Sequence, residues 1–172
     1  MPYEAKMARM VLEDCRYALT ELRNDPQGPA WRIRWFGAVA MLRAVGHVLE
    51  KVDAKSCPEL KKANDDWWTD LKSTKPNPAI FWQFIDTDRD AILKEYDHRA
   101  GQSVTIMSGV TQYDLRTGQE MTVTPGGPTT FTYEIHGGPF DGRDPRDVVR
   151  QAIEWWDQEL TAIEKDAADR RV

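Results

Sequence analysis

Apolar residues recur every three or four positions along most of this chain, which is the spacing of amphipathic α-helices. The pattern predicts a bundle of four main helices and one shorter helix. They span residues 2–23, 30–53, 56–72, 78–99 and 144–169, the third being the short one. The last helix has the most regular apolar stripe, formed by Val149, Ile153, Trp156, Leu160, Ile163 and Ala167.

The spacing changes between residues 102 and 143, where segments rich in Val, Ile, Thr, Phe and Tyr are separated by Gly- and Pro-containing turns. Predicted strands cover residues 104–110, 112–115, 120–124 and 129–136. We expect a small antiparallel β-meander of about three strands with one packed face. The prediction is therefore a mainly α (α+β) fold in a single domain, residues 1–172. It comprises a helical part (1–101), a meander insertion (102–143) and a closing helix (144–169).

The amino-acid composition excludes some classes of function for this protein. The 172 residues carry a formal net charge of −5, which argues against a protein that coats nucleic acid and leaves RNA binding only to a local basic groove. No segment is apolar enough to span a membrane, and two cysteines do not make a disulfide framework, so we expect a cytoplasmic, reduced protein. No residue spacing typical of a metal site or a phosphate loop is present, so we predict neither metal nor cofactor.

One helix of the predicted bundle carries a charge within its apolar stripe. Helical spacing places Trp82, Ile85, Arg89, Ile92 and Tyr96 on one side. An unpaired charge there would be costly, so Arg89 must extend to solvent, face a cleft or pair with a carboxylate. The candidate carboxylates are Asp14, Glu50 and Asp157.

The segment Arg89-Asp90, followed by three residues and Lys94, resembles the signature of the HEPN superfamily. In that family an Arg and a polar residue are followed by a His, and Arg and His form a metal-independent ribonuclease site across a dimer of paired helices. Lys94 stands where the family has His, and the nearest downstream histidine is His98. The resemblance therefore implies a HEPN-like bundle that acts by binding rather than by catalysis.

The second predicted helix carries a further polar group. Arg43, His47 and Glu50 lie on one side of it, where Arg could hold a phosphate and His could act as general acid or base. The alternative is a solvated face with local contacts between these residues. The same helix is rich in small residues, which favours close packing against another helix, in this chain or in a second copy. These are Gly37, Ala38, Ala40, Ala44 and Gly46.

Two pairs of adjacent tryptophans stand out. Neighbouring residues on a helix point about 100° apart, so one member of each pair should lie at a boundary. We expect Trp156 inside and Trp155 outside. The pair Trp67-Trp68 has aspartates on either side, which is typical of a protein-binding surface, although packing against the meander would also bury it.

Three functions agree with these observations. The first is a non-catalytic HEPN-like protein that binds a macromolecular partner, a protein for example, as a homodimer through the second helix or the Arg89 helix. Its binding residues would be Arg89, Arg43, Glu50, Lys94, Tyr96, Trp67, Trp68 and Trp82. The second is a metal-independent ribonuclease that uses Arg89 with His47 or His98. The third binds a small anion in a pocket between bundle and meander, lined by Trp82, Tyr96 and Arg89.

Overall fold

The computed structural model describes residues 3–24, 26–105, 111–113, 120–122 and 130–170. The main helices are α1 (Lys6–Arg23), α2 (Pro29–Val48), α4 (Pro58–Ser73), α5 (Thr87–Glu95) and α6 (Pro145–Asp169), with a short α3 (Ala54–Ser56). A first π-helical segment (Leu49–Asp53) continues α2, and a second π-helical segment (Ile80–Asp86) precedes α5. The predicted mainly α fold with a β insertion before the last helix is confirmed.

The core lies between the helices. Helix α1 packs against α2 and α6, and α4 packs against α6. The largest fully buried side chains in the described residues are aromatic: Trp31, Trp35, Phe81, Phe84 and Trp156. Helix α6 begins as the sequence predicts, because the Asp144 carboxylate accepts a hydrogen bond from the Arg146 backbone N–H at 2.8 Å.

Helix α1 is capped from a distant part of the chain. The buried carboxylate of Asp53, in the first π segment, accepts hydrogen bonds from the backbone N–H groups of Met7 at 3.1 Å and Ala8 at 2.8 Å. These are two of the donors that every helix N-terminus leaves without an intrahelical partner. Asp53 thereby joins α1 to the end of α2 and has a structural role.

The β insertion pairs its strands two by two. Strand β1 (Ala100–Thr105) runs antiparallel to β4 (Thr130–Ile135), with Ala100 opposite Ile135. Strand β2 (Thr111–Tyr113) pairs with β3 (Glu120–Thr122). In the described residues the first strand therefore pairs with the last, and the two middle strands pair with each other. In the meander of about three strands that we expected, each strand would pair with the next one along the chain. Predicted strand residues 106–110, 114–115, 123–124 and 129 lie outside the described residues.

The helix that carries Arg89 differs from the prediction in phase and in length. Its first part is the second π segment, whose wider turn holds more residues than the 3.6 assumed for the stripe. Trp82, Ile85 and Ile92 are buried as expected, but Tyr96 is 66% exposed. Tyr96 has a left-handed backbone (φ 54°), and Asp97 N–H donates to the Ala91 carbonyl at 3.3 Å. This type of C-cap ends α5 at Glu95, four residues before the predicted end at residue 99.

Candidate functional site

Arg89 lies at the surface of the bundle. Its Nη1 donates to the carboxylate of Asp90 at 2.5 Å, and Asp90 also accepts from Lys94 Nζ at 2.6 Å. These two cations, Lys94 first, hold the pKa of Asp90 below its usual range. Of the alternatives left open for Arg89, pairing with a buried Asp14, Glu50 or Asp157 is wrong. Its partner is Asp90, whereas Asp157 pairs with Arg9 at 3.0 Å and Glu50 pairs with Lys51 at 2.7 Å.

The buried charge on this helix is Asp88, whose residue is only 3% exposed. Arg99 donates to Asp88 Oδ1 from Nε at 2.9 Å and also from Nη2, whereas Oδ2 has no hydrogen-bond partner in the described part of the chain. Arg99 also donates to the carbonyl oxygens of Gln83 at 2.6 Å and Gly137 at 3.3 Å. This ion pair therefore joins the second π segment, α5 and the loop after β4.

Asp88 should give the protein a specific pH dependence. Burial raises the pKa of Asp88 in the folded protein above the value of about 3.9 expected in the unfolded chain. Its contribution to stability is then fully present below about pH 4 and is lost as the pH rises through the folded-state pKa. Asp88→Asn cannot titrate, so thermal melts should show the midpoint of the parent falling relative to this variant as the pH rises. A difference that moves in the opposite direction would contradict this assignment.

A cleft between α2 and α4 brings together two groups of residues that the sequence treats separately. It measures about 60 Å³. Its polar lining comes from Arg43, His47, Glu50, Asn64 and Asp65, and its remaining lining comes from Gly46, Trp67, Trp68, Phe81 and Trp156. The predicted common side of Arg43, His47 and Glu50 is therefore the α2 wall of this cleft.

On the α2 wall of the cleft, Arg43 lies one helical turn before His47 and is paired with an acid. Arg43 Nε donates to the Asp86 carboxylate at 3.1 Å, and its guanidinium lies 5.5 Å from the centre of the Phe81 ring. Partial burial, followed by the charges of Arg43 and Arg89, lowers the pKa of His47. Burial and the two arginines therefore disfavour the charged form of the imidazole, whereas Glu50 favours it.

The tryptophan pair on α4 belongs to an aromatic cluster. Trp67 lies 5.7 Å from Trp156 between ring centres, and Trp68 lies 5.9 Å from Phe81. Both tryptophans are half-buried against α6 and the second π segment, and their ring contacts in the described residues are with these elements rather than with the β insertion. Trp156 is fully buried and Trp155 is partly exposed, which confirms the predicted inner and outer positions.

The three residues predicted to line one pocket, Trp82, Tyr96 and Arg89, lie in different environments. Trp82 is buried and its Nε1 donates to the Leu71 carbonyl at 3.2 Å. Tyr96 lies with its ring edge-on to Phe36, at 5.3 Å between ring centres. The His98 ring also contacts the Phe36 ring, at 5.3 Å between ring centres. His47 is instead the histidine whose pKa is lowered by the charge of Arg89. The ribonuclease alternative, with Arg89 and either histidine, stays a prediction.

Helix α2 has an apolar solvent-facing side, which we call the α2 face. It consists of Ile33, Gly37, Ala40, Ala44 and Val48. Ile33 is 68% exposed, and a Cβ added to Gly37 would meet no atom within 4 Å. The solvent side of a helix in a monomeric globular protein is normally charged or polar.

Seven large apolar side chains of the described residues are exposed to solvent. They are Met7, Met10, Tyr17, Ile33, Val52, Leu93 and Tyr96. All belong to α1, to α2 with its π continuation, or to α5 and its C-cap. Helix α1 flanks α2 on one side, where Arg34 pairs with Glu21 at 3.2 Å, and α5 flanks it on the other, where Phe36 meets Tyr96.

Comparison with known proteins places the chain in no family. A scan against protein-family models found no match, and searches of curated proteins and of solved structures found none. Within the described ranges, no group of three His, Cys, Asp or Glu side chains could hold a metal ion. No helix in that same part of the chain is both long enough and apolar enough to cross a bilayer.

Proposed function

We propose that this protein acts by binding, without catalysis, as a homodimer that joins through the α2 face. The observation that supports the proposal is an uncharged strip on the solvent side of α2, beside Arg34 and His47. It is formed by Ile33, Gly37, Ala40, Ala44 and Val48. An uncharged strip of this length is uncommon on the solvent side of a helix. We therefore expect another protein surface to cover the α2 face. The resemblance to the HEPN superfamily, which stays a prediction, implies a dimer of paired helices as well.

A second copy of the chain suits this face in shape. Gly37, Ala40 and Ala44 form a low centre that lets an identical helix approach closely. Helices α1 and α5, which flank α2, both carry exposed apolar side chains that an approaching helix could contact.

The dimer is the form that we expect to engage a macromolecular partner. We place it in the reducing cytoplasm, in agreement with the two free and buried cysteines, Cys15 and Cys57. Helices α4 and α6 lie outside the α2 face, so pairing through that face leaves their outer surfaces accessible.

The substitution Ala44→Glu tests the dimer. It places two like charges near the centre of a symmetric interface, which costs several kcal/mol, so the dimer dissociation constant should rise by about 100-fold or more. Sedimentation velocity over a concentration series should show a dimeric parent and a monomeric variant with an unchanged helical circular-dichroism spectrum.

The matched control is Ala162→Glu, the same change at an exposed position of α6. It should leave the dimer intact. A parent that is monomeric over the whole concentration series, or an Ala44→Glu variant that stays dimeric, would contradict the proposal.

A further inference from the structure

We draw no further inference here: the strongest candidate, the groove of about 530 Å³ between α4 and α6, carries nothing because two of its aspartates, Asp66 and Asp166, are already paired with Arg170 and no second observation in the described residues points to a ligand there.

Discussion

Replacing Arg99 with alanine is expected to lower the thermal unfolding midpoint by roughly 6–20 °C. The variant leaves the buried carboxylate of Asp88 without its cation, and breaking a buried ion pair in this way costs about 3–5 kcal/mol. In a chain of this size each kcal/mol shifts the midpoint by roughly 2–4 °C. The Arg99 hydrogen bonds to the Gln83 and Gly137 carbonyls are lost as well, so the base of the β insertion should also loosen.

The matched control is Arg89→Ala, the same change on the exposed side of α5. Arg89 pairs with Asp90 at the surface, where an ion pair contributes about 0–1 kcal/mol, so the midpoint should change by only a few degrees. In an Asp88→Asn background, Arg99→Ala should cost much less than in the parent, because no buried charge is left unpaired. Equal losses from the two arginine substitutions would show that Asp88 does not need Arg99.

Replacing Trp156 with alanine is expected to reduce the free energy of unfolding by about 3–5 kcal/mol, the usual cost of deleting a large aromatic side chain from a core. Trp156 is fully buried in the aromatic cluster, 4.7 Å from Trp155, 5.7 Å from Trp67 and 6.0 Å from Phe81 between ring centres. Its indole N–H has no partner in the described residues, so the loss comes from packing alone. Urea unfolding should show a lower midpoint with an unchanged slope.

The neighbouring tryptophan supplies the control. Trp155 is only partly buried, so its burial contributes less to stability than that of Trp156. Trp155→Ala should therefore reduce the free energy of unfolding by roughly 1–2 kcal/mol. If Trp155→Ala proved the more destabilising of the two, the cluster would be centred on the outer tryptophan.

Much of the helical architecture follows from spacing along the chain. The stripe of α6 and its Asp144 N-cap are visible in the sequence, and both are present in the structure. The sequence likewise places Arg43, His47 and Glu50 on one side of α2, and they line one cleft. Predictions of this kind depend only on residues within a turn or two of each other, where backbone geometry decides which side chains are neighbours.

The identity of the buried charge could not be predicted in this way. The sequence places Arg89 in the apolar stripe, whereas the structure buries Asp88 and leaves Arg89 at the surface. One additional residue in a π-helical turn rotates all later side chains by about 100°. No local feature of the segment from Ile80 to Asp86 indicates this turn, so the predicted stripe fails at Arg89 and Tyr96, although Ile92 is still buried.

In the candidate cleft too, sequence spacing predicts some of the lining residues and not others. Asn64 lies in a polar run of α4 and has no spacing that marks it as buried. Its position against Arg43 and Gly46 depends on how α4 and α2 meet, 18 or more residues apart along the chain. The sequence by itself determined the main helices, the position of the β insertion and the small residues of α2, because each follows from local periodicity and composition. The tertiary structure decided which charge is buried, which residues line the cleft and which side of α2 is uncovered, because these depend on contacts between helices that sequence spacing does not encode.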